Sequence, residues 1–563
     1  HNLREENTSL QNERDSIKYL KKIIKYSDNL RLILMSATPL YNKSTEIISL
    51  INLLLLNDGR PLLTKNKIFD DDDNVKDEKI LINKTRGYIS YLRGENPISF
   101  PIRLYPKDDS HENTNYGSNG IIKITSDLKG HDINENEQIK FLNLYFNKFK
   151  SGGHQGVIYD KFNSEISDGE LSLDHSRKGV QILNFVFPGS NNVHKSYGVK
   201  GLKRLMDGKG SSQNKFTFKP DALKKHGNIF QKNKIGKYSA KFDNIFNLIE
   251  NSEGIIFIYS EYLSGCIYPF GIFLEQNGYG NYNGDIFNPP KNVKKRKEKY
   301  VILDGEMSKV NIAKNLDIIN DVGNKDGDII KIILGSAVTS EGLDFRAIRQ
   351  IHIMEPWYHL FKIEQIIGRG IRRCSHYSLK EEKRNLTVYL HISKNDTNNN
   401  ELVDGYLYRK AENKAISIGK VETILKNNAI DRYLNKEINY IEKTKIFKKD
   451  LITSLGGELS KHDISDQPYS KVCSFMKTCN IDCDIGDEEI YSKINRNTFE
   501  FSDKQKYVFK NVIKYIRYIF EIREKYYLDE LVISLSNKAK KNENDLGLGI
   551  DLKNDEIVIY YTL

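Results

Sequence analysis

Cysteine is scarce in this chain, with five among 563 residues. A secreted disulfide framework would need paired cysteines at a much higher density, so we expect a reducing compartment. Long apolar runs are missing as well. The longest, residues 47–56, is too short to span a bilayer and contains a serine and an asparagine. It predicts a buried helix, and no segment indicates attachment to a membrane.

Two further features are absent. The chain opens with the polar stretch HNLREENTSLQNERD, without a methionine or a signal peptide, so we expect a fragment or a processed chain. It also contains no G-x-x-x-x-G-K-[ST] loop. That loop supplies the backbone amides and the lysine that hold the β and γ phosphates of a nucleoside triphosphate, so one common way of binding such a ligand is excluded here.

The composition is that of an ordinary soluble globular protein, with 39% hydrophobic and 29% charged residues. The length predicts three or four domains with sizeable cores. Lysine and arginine number 86 against 75 acidic residues, which gives a formal net charge of +11. This moderate excess permits a nucleic-acid partner through phosphate neutralisation but does not require one.

The most informative stretch is residues 329–376. Two short runs rich in isoleucine, 329–334 and 348–354, have the length and β-branched content of buried parallel strands. Residues 359–374 then show helical periodicity. Together with the strands expected at 255–259, 301–303 and 386–392, this order predicts an α/β fold with a doubly wound parallel sheet.

Polar side chains share one face of the predicted helix 359–374. At 100° per residue, Gln365, Arg369 and Arg372 point the same way, while isoleucines occupy the opposite side. The glycines at 368 and 370 disfavour a helix interior and indicate close approach by backbone or ligand. Two guanidinium groups beside a glycine suit phosphate oxygens. A solvated basic helix face is the alternative.

The same residues carry a resemblance to a known family. Residues 365–372, QIIGRGIR, resemble motif VI (Q-x-x-G-R-x-x-R) of superfamily 2 helicases and translocases, and residues 340–344, SEGLD, resemble their motif V. The resemblance implies a second RecA-like domain in which Arg369 and Arg372 act as fingers on the ATP phosphates. It implies that Gln365 orients them or the attacking water. The remaining implied contacts are Gly342, Asp344 and Gly368 for nucleotide, and Thr339 and Ser340 for the nucleic-acid backbone.

The amino-terminal part extends the resemblance. His1 looks like the last residue of a D-E-x-H box, and residues 36–42, SATPLYN, resemble motif III, in which Ser36 and Thr38 would couple the ATP state to the grip on nucleic acid. A small-residue turn is the alternative for the latter. Ser260 ends a segment that resembles motif IV, which implies a role for it in nucleic-acid binding or coupling. Because the chain begins after the two carboxylates of that box and lacks the phosphate loop, we expect these 563 residues alone to hydrolyse ATP negligibly.

The predicted organisation has four parts. A partial first RecA-like lobe covers residues 1–65, an insertion or linker 66–236 and a complete second lobe 237–400. A mainly helical region with a winged-helix-like module follows at 401–563. The segment 87–101 resembles one found in helicases of large nucleocytoplasmic DNA viruses, a group that includes poxvirus nucleoside triphosphatases and early transcription factor ATPases. The DGEMS sequence at 304–308 resembles a turn of Swi2/Snf2-like members.

Three features have two interpretations each. Cys473, Cys479 and Cys483, with His462 upstream, form either a structural Zn²⁺ site or a set of buried free thiols. The basic loop 291–299 is either a solvated insertion or a contact to nucleic-acid backbone. Arg93 either binds phosphate or forms a structural salt bridge.

The resemblance implies an ATP- and Mg²⁺-dependent helicase or translocase that acts on nucleic acid, DNA in preference to RNA. It further implies a role in viral transcription or genome handling, with viral RNA polymerase or other transcription machinery as partner, in the virion or the host cytoplasm. Two alternatives stay open. One is a transcription-factor subunit or scaffold without motor activity, and the other is a remodelling translocase that moves on duplex without separating its strands.

Overall fold

The computed structural model describes residues 11–27, 29–109, 124–166, 171–190, 192–211, 213–340, 342–441 and 448–479, with residues 530, 531 and 534. The chain divides into two compact units, His1–Asp482 and Cys483–Leu563, and every element below belongs to the first. None of the described helices is both long and apolar enough to cross a membrane.

The α-helices of the described residues are α1 Gln11–Tyr26, α2 Ile47–Asn57, α3 Lys65–Ile68, α4 Glu78–Thr85, α5 His154–Ser164, α6 Leu173–Asn184, α7 Gly198–Leu205, α8 Pro220–His226, α9 Lys232–Ile235, α10 Ala240–Glu250, α11 Tyr268–Gln276, α12 Lys309–Ile319, α13 Leu360–Ile367, α14 Val403–Asn427 and α15 Lys436–Asn439. The strands are β1 Ile102–Leu104, β2 Leu144–Phe149, β3 Met206–Asp207, β4 Thr217–Phe218, β5 Ile255–Tyr259, β6 Gly280–Asn281, β7 Lys299–Leu303, β8 Ile330–Gly335, β9 Ile348–Ile353, β10 Asn385–Asn395, β11 Lys448–Ile452 and β12 Glu458–Asp463.

One parallel sheet of eight strands organises the unit. Its order is β1-β10-β9-β5-β8-β7-β6, and β2 also pairs with β10. Successive residues of the central strand β5 point to opposite faces: Phe257 packs with α13 and α14, and Ile258 packs with α10 and α11. Because both faces are covered by helices, β5 is buried along its whole length. The α/β prediction with a parallel sheet is confirmed.

Two strands of this sheet come from the segment predicted as an insertion. Strand β1 pairs with the first part of β10, at Asn385–Thr387, and β2 pairs with the second part, at Leu390–Asn395. The sheet edge is therefore built from residues that precede 237. The boundaries at 65, 236 and 400 stay predictions.

The predicted helix 359–374 is wrong in its second half. Helix α13 ends at Ile367, and Gly368 is its C-cap residue. Gly370 then lies so close to β9 that an added Cβ would be 3.0 Å from Cδ1 of Ile351 and 3.4 Å from Cβ of Ile348. The glycine thus lets a turn press against the sheet where a helix would have continued. Arg369 and Arg372 consequently lie in the turn after the helix.

Gly370→Ala is expected to lower the free energy of unfolding by about 1–3 kcal/mol, the usual cost of overpacking a core. The added methyl group would have to displace Ile351. Gly305→Ala is the matched control, since an added Cβ there has no neighbour within 4 Å. Urea unfolding of both variants measures the difference. Equal stabilities would show that the packing around Gly370 is loose.

Two other expectations differ from the structure. The apolar run at residues 30–35 predicts a strand, but these residues belong to no strand in the described part of the chain, and Met35 is 92% exposed. The region after 401 contains, besides α14, an antiparallel hairpin of β11 and β12. Its turn end docks on the sheet, where the buried Arg349 donates from Nη2 to the carbonyl oxygen of Ile452 at 2.7 Å.

A buried carboxylate attaches the segment before β2 to α14. Glu412 accepts hydrogen bonds from the backbone amides of Lys140, Phe141 and Leu142, the last two at 3.2 and 3.0 Å. Burial raises the pKa of Glu412 to about 7, although these hydrogen bonds act in the opposite direction.

This raised pKa predicts a pH-dependent contribution to stability. A carboxyl whose pKa is higher in the folded than in the unfolded state binds more protons when folded, so its stabilisation is complete below about pH 4.3 and is lost as the pH rises through 7. The free energy of unfolding of wild type relative to Glu412→Gln should therefore increase by about 1 kcal/mol per pH unit as the pH falls from 7 to 5. Urea titrations at both pH values measure it, with the exposed Glu135→Gln as control. A pH-independent difference would contradict the assignment.

Candidate functional site

One carboxylate holds both arginines of the turn after α13. Asp344 Oδ1 lies 2.9 Å from Nε of Arg372 and 4.0 Å from Nη1 of Arg369. Nη1 of Arg369 also donates to the carbonyl oxygen of Leu343 at 3.4 Å. The backbone amide of Phe345 in turn donates to the carbonyl oxygen of Arg369 at 2.9 Å. The sequences resembling motifs V and VI therefore form one connected site.

The loop that presents Asp344 is fixed from both sides. Asn320, at the end of α12, donates to the carbonyl oxygen of Asp344 at 3.0 Å and accepts from the amide of Arg346 at 2.8 Å. Phe345 is fully buried, with its ring centroid 5.0 Å from that of Phe257 on β5. Gly342 has φ +73°, a conformation that glycine adopts without strain. The carboxylate thus lies on a defined backbone.

Exposure separates the two arginines. The side chain of Arg369 is 12% exposed, that of Arg372 45% and that of Asp344 65%. An ion pair this exposed contributes only about 0–1 kcal/mol to stability. A more highly charged anion can therefore replace the carboxylate at little cost in free energy. Phosphate oxygens match the guanidinium fork as well as carboxylate oxygens do. The Asp344 carboxylate therefore marks a position that an anion can occupy between the two arginines.

Helix α13 places Gln365 and Gly368 beside this site. The side chain of Gln365 is half-buried on the last turn and makes no hydrogen bond within the described residues. Glu364 on the same helix accepts from Nη1 of Arg103 on β1 with both oxygens, each at 2.9 Å. The edge strand β1 thereby holds the helix that precedes the arginine turn.

The motif III-like segment contacts the beginning of α13. The ring of Tyr41 lies 4.2 Å from that of His359, which caps α13 by accepting from the amide of Lys362. Within the segment, Ser36 is exposed, Thr38 is buried, and the hydroxyl of Ser36 accepts from the amide of Thr38 at 3.1 Å. A conformational change in residues 36–42 can therefore be transmitted directly to α13, the helix that precedes Arg369.

Two of the residues assigned to nucleic acid are buried. The hydroxyl of Thr339 donates to the carbonyl oxygen of Ser336 at 2.7 Å, and Ser340 closes the same 3₁₀ turn, Ala337–Ser340. The hydroxyl of Ser260 lies 3.0 Å from both oxygens of Glu355. Both hydroxyls therefore stabilise loops at the carboxyl ends of β8 and β5. Their contacts to nucleic acid stay predictions.

The domain around these residues is identified by comparison with known families. Residues 241–374 match the family model described as the helicase conserved C-terminal domain. The chain carries a helicase C-terminal domain. That domain contains β5 to β9, α13, Asp344 and both arginines, so the resemblance inferred from motifs V and VI is confirmed.

Several of its relatives are helicase-like proteins of large nucleocytoplasmic DNA viruses. A protein of Acanthamoeba polyphaga mimivirus, provisionally named an ATP-dependent RNA helicase, is 27% identical over 91% of this chain and 47% of its own length. A provisionally named helicase of Invertebrate iridescent virus 3 is 27% identical over 74% of this chain and 37% of its own length. The early transcription factor large subunit homolog of African swine fever virus is 24% identical over 72% of this chain and 37% of its own length.

The chain thus spans about half or less of the length of these relatives. Among solved structures, the C-terminal part of the Fun30 ATPase domain aligns with 47% of this chain and 88% of its own at 13% identity and a TM-score of 0.26, which is too low to support an argument.

Sequence reasoning missed a buried polar cluster beside the helicase domain's motif IV-like residues. We call Asn184, Lys241, Ser260, Glu355 and Asp404 the Glu355 cluster. Glu355 accepts from the amide of Glu261 at 2.6 Å and from Asn184 at 2.7 Å, and Nζ of Lys241 lies 3.1 Å from Asp404, both fully buried. Burial raises the pKa of Glu355, opposed by these hydrogen bonds and by Lys241. An acidic residue directly after the apolar run 348–354 was the available signal.

The zinc assignment is wrong for two of its four residues. Cys473 and Cys479 form a disulfide, so neither offers a thiolate to a metal, and neither is the free thiol of the alternative. His462 is half-buried on β12. Cys483 and His1 lie outside the described residues. No group of three or more His, Cys, Asp or Glu suited to a metal ion occurs within the described ranges.

Two basic features turn out to be paired. Arg93 forms a buried bidentate salt bridge with Asp466, with N–O distances of 2.7 and 2.8 Å, so the structural interpretation of Arg93 is the observed one. In the loop 291–299, Arg296 binds both oxygens of Glu250 and Lys295 binds Asp285 at 2.8 Å. These two side chains are therefore already neutralised within the protein.

Proposed function

We propose that this chain is part of an ATP-dependent nucleic-acid helicase or translocase. The observation that carries the proposal is the convergence of Arg369 and Arg372 on the Asp344 carboxylate inside a helicase C-terminal domain. Two guanidinium groups around one exposed anion are suited to stabilise the charge that develops on a transferred phosphoryl group.

The residues present fit the phosphates of ATP. Bound ATP supplies the phosphoryl transfer that drives the motor. Arg372, the more exposed arginine, would release Asp344 and bind phosphate oxygens, while the more buried Arg369 would stay fixed by Leu343. Gln365 would orient the arginines or the attacking water, and the backbone at Gly342 and Gly368 would approach the nucleotide. Mg²⁺ has no ligand group among the described residues, and we assign it no step.

Coupling to nucleic acid would use the loops at the carboxyl edge of the sheet, where parallel α/β folds bind ligands. Ser260 and Thr339 would act by fixing these loops, since their hydroxyls bond internally. Ser340 would face the nucleic-acid backbone. Ser36 and Thr38 would report the nucleotide state through the contact of Tyr41 with His359.

The relatives support a viral role. We propose DNA in preference to RNA as substrate, viral transcription machinery, including RNA polymerase, as partner, and the virion or host cytoplasm as location. The name of the African swine fever virus relative, an early transcription factor large subunit homolog, favours transcription. It also keeps a second candidate, a transcription-factor subunit or scaffold that binds nucleic acid without motor activity.

A pair of displacement assays on the complete gene product that contains this chain distinguishes these functions. A forked duplex with a labelled strand reports strand separation, and a labelled third strand on intact duplex reports translocation alone. We expect ATP-dependent displacement in at least one assay. Third-strand displacement alone would assign a duplex translocase, and ATP-independent binding without displacement would refute the motor and leave the scaffold.

A further inference from the structure

Nearly all of the net positive charge of this chain comes from residues 195–237, which we call the basic segment. These 43 residues contain twelve lysines and arginines and two aspartates. The other 520 residues contain 74 basic and 73 acidic side chains and are therefore almost neutral. A charge excess this local is the electrostatic footprint that polyanion-binding surfaces show.

The basic segment is folded onto the helicase domain. It comprises α7, the hairpin of β3 and β4, α8 and α9, and Ser212 is its only residue outside the described ranges. Leu202, Phe216 and Phe230 belong to its buried core, which continues into α10 and α11. Gly201 allows α7 to press on Phe187, since an added Cβ would clash with that ring. The basic side chains are therefore attached to an ordered part of the fold.

Most of these charges face solvent, and all but one lack a counterion within the described residues. Eight of the twelve basic side chains are exposed, and the other four are half-buried. Within the described residues they form one ion pair, between the half-buried Lys219 and the exposed Asp207 at 3.6 Å. Arg204 donates to the backbone carbonyls of Gly189 and Lys195. Elsewhere the chain pairs comparable residues, as with Arg296 and Glu250 in the loop 291–299.

Helical spacing gathers part of this charge. On α7, Lys200, Lys203 and Arg204 lie at i, i+3 and i+4, so they share one face, opposite the buried Leu202 and Leu205. On α8, Lys224 and Lys225 occupy the last turn, and all residues of that helix are at least partly exposed. Like charges held this close repel one another unless an anion neutralises them.

The basic segment lies against the start of α11, the helix that follows β5. The amide of Phe216 donates to the carbonyl oxygen of Ile286 at 2.6 Å, and the ring of Phe216 lies 5.7 Å from that of Tyr268, the first residue of α11. Between β5 and α11 the chain contains only residues 260–267, which begin with Ser260. The basic segment therefore lies beside the connection 260–267, which begins with the motif IV-like Ser260 at the carboxyl end of β5.

We propose that the basic segment is a second nucleic-acid contact that binds the phosphate backbone and lies outside the helicase motifs. The proposal rests on nucleic acid being the partner, as argued above. Lysines and arginines that neutralise phosphates release condensed counterions, so this contact contributes affinity without sequence preference and with strong dependence on salt. This contact would hold the protein on the nucleic acid in every nucleotide state.

The test uses the chain itself, without ATP. Fluorescence anisotropy measures the binding of a labelled 20-bp duplex between 50 and 200 mM KCl for wild type and for Lys200→Ala/Lys203→Ala/Lys224→Ala/Lys225→Ala. The control is Lys67→Ala/Lys79→Ala/Lys309→Ala/Lys314→Ala, which removes the same charge from exposed lysines elsewhere. Thermal unfolding verifies that all three proteins are folded.

Each lost phosphate contact should lower the slope of log K against log [KCl] by about 0.9. We expect the first variant to lose about 2–4 in slope and at least tenfold in affinity at 100 mM KCl, and the control to change less than twofold. Equal behaviour of the two variants would overturn the proposal and leave the motor untouched. Absence of binding by wild type would overturn the proposal and leave the motor to the assays on the complete gene product. Tighter binding of poly-L-glutamate than of the duplex at equal charge concentration would overturn it in favour of an acidic protein partner.

Discussion

Arg369→Ala and Arg372→Ala should each lower nucleic-acid-stimulated ATP hydrolysis by the complete gene product at least a hundredfold. Arginine fingers contribute on the order of 10³–10⁵ to the rate of phosphoryl transfer, and both guanidinium groups here reach one anion position at Asp344. Steady-state turnover at saturating nucleic acid and ATP measures the loss.

The neighbouring Arg373 provides the matched control. Its side chain is exposed and has no polar partner among the described residues, so Arg373→Ala changes the same charge one residue away. We expect less than a threefold effect. Arg372→Lys should recover only part of the rate, because an ammonium group keeps the charge and loses the bidentate fork. If Arg369→Ala and Arg373→Ala behave alike, the finger assignment is wrong.

The second large effect is expected from the Glu355 cluster. Lys241→Met should lower the free energy of unfolding by about 3–5 kcal/mol, the cost of removing one partner from a buried ion pair. Nζ of Lys241 lies 3.1 Å from Asp404, 2.7 Å from the carbonyl oxygen of Met354 and 3.2 Å from Oδ1 of Asn184, with no exposure to solvent. The variant would leave the Asp404 carboxylate buried without a counterion.

Urea unfolding measures this loss, and two comparisons interpret it. Lys178→Met removes the partner of the exposed Asp174 on α6 and should cost less than about 1 kcal/mol. The double variant Lys241→Met/Asp404→Asn also removes the unpaired Asp404 carboxylate. It should therefore recover at least half of the lost stability. A Lys241→Met variant as stable as Lys178→Met would contradict the account of the cluster.

Local sequence patterns predicted the centre of the sheet well. The runs at 255–259, 330–335 and 348–353 are buried on both faces, so their composition alone distinguishes them as parallel strands. Helix α10 begins at Ala240 because Ser239 caps it, accepting from the amide of Phe242 at 3.1 Å. These signals are contained within a few residues of each element.

The errors concern features that depend on distant contacts. The end of α13 at Ile367 depends on Gly370 packing against β9, which helical periodicity does not report. The pairing of β1 and β2 with β10 joins residues more than 200 positions apart. Cysteine spacing likewise could not distinguish a zinc site from the Cys473–Cys479 disulfide.

In the candidate site, too, some features were predicted from the sequence and others depend on contacts that only the fold creates. Motif spacing identified Asp344, Arg369 and Arg372 as a group, and the structure brings them together. Motif spacing could not reveal that the hydroxyls of Ser260 and Thr339 bond inside the protein. Their acceptors, Glu355 and the carbonyl oxygen of Ser336, come close only when the loops fold. Nor could it show that Arg93 binds Asp466, 373 residues away.

The measurement that tests the central claim most directly is ATP hydrolysis by the complete gene product with and without nucleic acid. If Asp344, Arg369 and Arg372 belong to a motor, turnover should rise at least tenfold when duplex or single-stranded DNA is added, and the rise should disappear in Arg369→Ala. Hydrolysis that is undetectable, or that is the same with and without nucleic acid, would contradict the motor and leave a nucleic-acid-binding subunit.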